Sequence, residues 1–170
     1  MGDDAWRDEQ EWPLARAVQT KYYLHSGGKA NSKQGDGSLS TTSPQSEAQD
    51  VYLYNPANPV PTTGGALCCN PYFAANGAYD QNEVEERQDV LVYSTLPMEK
   101  DMEVTGPVTV TLWASTSATD TDFTAKLVDV CEDGCARNLT DGIIRARYRN
   151  SMSNPTPLEH GRAYCYEIDL

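Results

Sequence analysis

The chain has 170 residues, enough for one domain with a core of its own. Apolar residues make up 39%, and 25 Asp and Glu against 13 Lys and Arg leave a net charge of −12. That balance excludes a phosphate-neutralising surface for nucleic acid and any attraction to an anionic membrane, and solubility is its simplest reading.

Residues 1–20 are charged and carry Trp6, Trp12 and Pro13. The Trp12–Pro13 step disfavours helix, so an irregular segment is expected. Two large aromatics so close together call for something apolar to cover them. The acidic start has no apolar run, so it is not a secretory signal, and no window is long enough to span a membrane. A cytoplasmic location is the expectation.

Lys21–Leu24 is a short strand candidate, followed by a Gly/Ser/Asn-rich loop from His25 to Gln49. The glycines of that loop lack the order and the strand-to-helix setting of a phosphate-binding loop. Asp50–Tyr54 alternates and is predicted as a strand, with Val51 and Leu53 opposite Tyr52 and Tyr54. A long connection rich in Pro and Gly runs from Asn55 to Glu86, and loops of that length usually serve function or cover another surface.

Strands are predicted at Asp89–Thr95, Met102–Val104 and Val108–Ser115. In the last of these Val110, Leu112 and Ala114 share a face opposite Thr109, Thr111 and Trp113. From Ala118 to Gly142 the pattern reads strand, tight acidic turn, strand: a hairpin at the centre of a β-sandwich. Strands are also predicted at Gly142–Arg149 and Ala163–Leu170, and no segment carries a convincing helical period. Seven or eight short strands between turn signals define an all-β class, sandwich or jelly roll.

Few residues suggest chemistry. The G-x-S-x-G nucleophile elbow is absent. Ser26, Ser38 and Ser40 lie near His25, and loop composition explains them without a catalytic triad. His160 reads as a surface turn histidine. Asp120, Asp122, Asp129, Asp133 and Asp141 gather around one strand, but their spacing matches no calcium loop; turn capping, or pairing with Arg145, Arg147 and Arg149, accounts for them. No cofactor or metal is expected. Cys131 and Cys135 flank the acidic turn and could bridge if they face each other, although two reduced thiols are the expectation. Cys68 and Cys69 are adjacent without a zinc-ligand spacing. Asn138-Leu139-Thr140 forms a glycosylation sequon that reads as chance.

A fixed series of motifs covers nearly the whole chain: W-R-x-x-x-x-W-P-L at Trp6–Leu14, Y-N-P-A-N-P-V-P-T-T-G-G at Tyr54–Gly65, D-Q-N-E-V-E-E-R-Q-D-V-L-V-Y at Asp80–Tyr93, E-V-T-G-P-V at Glu103–Val108, D-T-D-F-T-A-K-L-V-D-V at Asp120–Val130 and D-G-I-I-R-A-R-Y-R at Asp141–Arg149. This series resembles the C-terminal domain of the cocaine esterase-like and Xaa-Pro dipeptidyl-peptidase-like serine hydrolases. The resemblance implies a jelly-roll, galactose-binding-like β-sandwich that packs on an α/β-hydrolase domain bearing the Ser-Asp-His triad. It implies no catalytic residue in this chain. The motif positions Trp6, Trp12, Pro61, Gly64, Gly65, Asp120, Asp122, Phe123, Arg145 and Arg147 are expected in structural or interface roles.

Against the family pattern the chain reads as truncated at both ends. Residues 1–20 would link to or dock on the hydrolase domain, and residues 21–170 would form a sandwich incomplete at its C-terminus. Unpaired edges in such a sandwich make a homo-oligomer an expectation. The expected function is an accessory domain that covers a hydrolase and shapes its pocket. The alternative is a carbohydrate-binding module with Tyr52, Tyr54 or Trp113 as an aromatic platform.

Overall fold

The structure is a computed structural model and describes residues 5–68, 72 and 75–170. Met1–Asp4, Cys69 and Pro71, which the sequence reading placed in the N-terminal segment and the long connection, lie outside the described residues. Six strands form among the described residues: β1 (Tyr23–His25), β2 (Ser38–Ser40), β3 (Thr109–Ala114), β4 (Asp122–Val130), β5 (Ala136–Arg145) and β6 (Tyr164–Asp169). One helical turn, α1 (Asn82–Glu85), precedes β3, and a 3-10 turn (Ala146–Tyr148) follows β5.

The strands pair antiparallel as β1–β2, β3–β6 and β4–β5. The β4–β5 hairpin is the longest ladder, running from Asp122 opposite Arg145 to Val130 opposite Ala136, with an irregularity between Leu127 and Val128. It is the hairpin that the alternation from Ala118 to Gly142 predicts.

The β3–β6 and β4–β5 ladders pack face to face as the two layers of a β-sandwich. Period-2 alternation sends Val110, Leu112 and Ala114 of β3, Tyr164, Tyr166 and Ile168 of β6, Phe123 and Ala125 of β4 and Ile144 of β5 into one cluster. Ala146 and Leu158 close it. The layers touch most closely at Gly142, where a side chain would collide with the Asp169 carbonyl. A Gly in mid-strand is therefore a packing requirement, the usual reason for one there.

Several predicted strands do not form. Asp89–Thr95 makes only isolated bridges, Leu91 with Asn31 antiparallel and Ser94 with Ser38 parallel. Its backbone switches partners, from Ala30 and Ser32 to Gly37 and Leu39, so no ladder can propagate. Asp50–Tyr54 is irregular because a side chain meets its backbone in place of a strand: the Asn31 amide donates to the Val51 carbonyl at 3.0 Å. Met102–Val104 is exposed and irregular. The loop from His25 to Gln49 contributes β2, and Gly142–Arg149 divides into the end of β5 and the 3-10 turn.

Part of the 55–86 connection is built into the sandwich edge. Gln81 is fully buried, and its amide nitrogen donates to the carbonyls of Thr63 and Tyr79, while Lys126 donates to its oxygen at 2.8 Å. The buried Asn138 accepts the Tyr79 N–H at 2.7 Å, and Asp80 bridges to Arg137 of β5. Gly64 and Gly65 both take positive φ, and Gly65 exchanges both backbone hydrogen bonds with Gly77. Asn138 is thus sealed under this connection, which removes the sequon from any surface role.

Candidate docking surface

The N-terminal segment lies extended over the surface and buries only Leu14 among its described residues. It is stapled to the segment before β3 through Glu103. Arg7 donates to both Glu103 oxygens, at 2.6 and 3.2 Å, and Arg16 reaches Glu103 at 3.4 Å while pairing with Glu9 at 2.6 Å. The Arg7 hydrogen bond first, then that of the Thr105 hydroxyl, with Arg16 contributing least, lower the Glu103 carboxyl to about 2. Tyr22 adds a contact to Met102.

The staple joins two segments that each carry exposed apolar side chains. Trp6 is wholly exposed (102%), Trp12 is 67% exposed and Val18 83%. Across the staple, Leu96 is 86% exposed, and Met98, Met102 and Val104 are also exposed. Isolated exposed apolar residues are ordinary; a run of them on two joined irregular segments marks a contact surface. Trp6 and Trp12 are exposed in the N-terminal segment, and 96–104, where the sequence predicts a strand at Met102–Val104 and none forms, adds further exposed apolar residues. Leu96, Met98, Met102 and Val104 stand at even positions, interleaved with Pro97, Glu99, Asp101 and Glu103, a pattern that a strand shares.

The long connection divides. Val84 and Gln81 are buried against the sandwich, whereas Leu67, Tyr72 and Tyr79 are exposed, as is Pro61. Of the proposed sugar platform, Trp113 alone lies on a sheet face; Tyr52 and Tyr54 sit in irregular chain, so the three form no common strand face.

Asp120 and Asp122 are committed to arginines. Arg145 donates to both Asp122 oxygens, at 2.8 and 3.0 Å, and Arg147 donates its backbone N–H and its side chain to Asp120. The Arg145 hydrogen bond lowers the Asp122 carboxyl. Asp133 accepts the Cys135 N–H as a turn cap. Arg149 departs from the expected pairing: it donates to the carbonyls of Ala146 and Thr156 and stacks 4.1 Å over the Tyr164 ring. Among the described residues no three acidic, His or Cys side chains are placed to hold a metal.

One constellation has triad-like parts. The Ser40 hydroxyl lies 3.1 Å from His25 Nε2, and Glu47 lies 2.7 Å from Nδ1. The Thr42 carbonyl is also 2.9 Å from Nε2. Acceptors on both sides require a proton on each nitrogen, and the Glu47 hydrogen bond raises the His25 pKa. A doubly protonated ring cannot take the Ser40 proton, so the group pins a loop and is no general base. His160 is exposed in a turn.

The model of the X-Pro dipeptidyl-peptidase C-terminal non-catalytic domain matches residues 1–170. The chain is 49% identical over 170 residues to cocaine esterase of Rhodococcus sp. (strain MB1 Bresler), covering 100% of this chain and 29% of that protein. Among solved structures, an aminopeptidase from a marine sediment archaeon (Thaumarchaeota archaeon) superposes with a TM-score of 0.74 at 28% identity, over 99% of this chain and 28% of the other. An alpha-amino acid ester hydrolase superposes with a TM-score of 0.70 at 29% identity, over 87% of this chain and 25% of the other. The chain therefore spans less than a third of the length of the relatives it matches.

Proposed function

From its membership of the X-Pro dipeptidyl-peptidase C-terminal non-catalytic domain family, we propose that this chain serves as the accessory sandwich of a serine hydrolase acting on acyl esters or Xaa-Pro amides. It packs on an α/β-hydrolase catalytic domain and helps shape that domain's pocket. The observation that carries this reading is the exposure of Trp6, Trp12 and Val18 on a segment that Arg7 and Arg16 tie to Glu103, which itself lies between the exposed Met102 and Val104. Trp6, Trp12 and the exposed Pro61 region are its contact residues; Gly64, Gly65, Asp120, Asp122, Phe123, Arg145 and Arg147 act by holding the sandwich that presents them.

The test is hydrolysis of an activated ester and of an Xaa-Pro anilide by the chain alone, and by the α/β-hydrolase domain with and without it. The chain alone is expected to be inert, and its addition is expected to raise turnover by the hydrolase domain. Turnover by the isolated chain, abolished by Ser40→Ala, would sink the reading. A sugar-dependent rise in Tm would point instead to a carbohydrate-binding module.

A further inference from the structure

Cys131 and Cys135 close the β4–β5 turn as a directly opposed pair, one step beyond Val130 opposite Ala136. The Cys131 N–H donates to the Cys135 carbonyl at 2.9 Å, and the Gly134 N–H donates to the Cys131 carbonyl at 2.9 Å. Gly134 takes φ +82°, which makes the turn tight. Opposed, hydrogen-bonded residues of an antiparallel pair have Cα atoms about 5.5 Å apart and side chains on the same face. That separation is within the range a disulfide spans.

The turn is held from outside. Asn82 donates to the Gly134 carbonyl at 2.8 Å, and Asp80 accepts the Ala136 N–H at 3.0 Å. Both thiols are free and half-buried. Arg137 is two residues on from Cys135 and therefore on the same face, and its pKa is raised first by a side-chain hydrogen bond with Cys135. Asp129 sits opposite Arg137, and Glu132 and Asp133 form the turn, so Arg137 is the local cation in an otherwise acidic setting.

We propose that Cys131 and Cys135 are a redox-sensitive dithiol that a low-molecular-weight disulfide converts to an internal bridge across the hairpin turn. The Cys135 thiolate, beside Arg137, attacks one sulfur of the disulfide RSSR. The S–S bond breaks, and one RS⁻ leaves and is protonated to RSH. The Cys131 thiolate then attacks the Cys135 sulfur of the mixed disulfide and expels the second RS⁻, also protonated to RSH. The two cysteines lose two electrons and two protons, and RSSR gains both. A bridge at an exposed turn is of the reducible kind, so the step reverses in excess thiol.

Incubation of the full chain with oxidised glutathione, alkylation and trypsin digestion read this out in one peptide, Leu127–Arg137. That peptide is expected to become lighter by two hydrogen atoms, with neither glutathione nor alkyl group attached, and to revert in dithiothreitol. Cys131→Ser is expected to stop at a mixed disulfide on Cys135, Arg137→Gln to slow the first step, and Cys165→Ser to change nothing. Recovery of the peptide as a doubly alkylated dithiol, or with two glutathione adducts and no internal bond, overturns the proposal.

Discussion

The Phe123 and Tyr166 rings meet with centroids 4.7 Å apart, tilted 47°. Phe123 belongs to β4 and Tyr166 to β6, so this contact joins the two layers at the centre of the core. Phe123→Ala leaves a cavity that the paired ladders cannot collapse to fill. A loss of about 3–5 kcal/mol is expected in urea unfolding, with no change in m-value.

Gly142 tests the packing of the layers in the opposite sense. Gly142→Ala adds one methyl where the Asp169 carbonyl already stands, so backbone must shift. The expected cost is about 1–3 kcal/mol or more, read as a fall in Tm. An unchanged Tm would mean that β5 and β6 do not cross there.

Legibility in the sequence followed the physics of each element. The β4–β5 hairpin and β3 were readable because one face of each is buried, and burial writes alternation into the residues. Asp89–Thr95 and Asp50–Tyr54 are apolar runs with strand-forming residues but no ladder, since pairing depends on which backbone is adjacent, a long-range fact that no local pattern carries. The exposed apolar residues were half readable: Trp6 and Trp12 are conspicuous in a charged segment, whereas 96–104 is tied to that segment only through Arg7, Arg16 and Glu103, far apart in the chain. The nearness of Ser40 to His25 was visible in sequence, but neither the Glu47 carboxylate on the ring nor the Thr42 carbonyl that disarms the group was.

The acidic cluster of β4 yields a negative expectation. With Asp120 and Asp122 engaged by Arg147 and Arg145, added calcium is expected to leave Tm unchanged. Arg145→Ala is expected to lower Tm only slightly, because the pair is largely solvated. A calcium-dependent rise in Tm, larger in Arg145→Ala than in the parent, would show that the carboxylates are a metal site after all.

His25 provides a pH dependence with a definite sign. Its folded pKa lies above the ordinary 6.5, chiefly through Glu47. The stabilisation is therefore fully present below about 6.5 and is lost as pH rises through the folded value. The Tm difference between the parent chain and His25→Gln is expected to shrink across that interval, and NMR titration of the ring is expected to give a pKa above that of a free imidazole. In Glu47→Gln that pKa is expected to fall.

On the proposed function, the exposed residues Trp6, Trp12, Leu96 and Met98 are covered by a catalytic domain. Hydroxyl-radical footprinting of the enzyme that contains this sandwich, compared with the 170-residue chain alone, measures it directly. Strong protection of Trp6, Trp12, Leu96 and Met98 is expected in the enzyme, with Trp113 on the outer face of β3 equally reactive in both. Equal reactivity of the four residues in the two samples, or protection of Trp113 in their place, would contradict it.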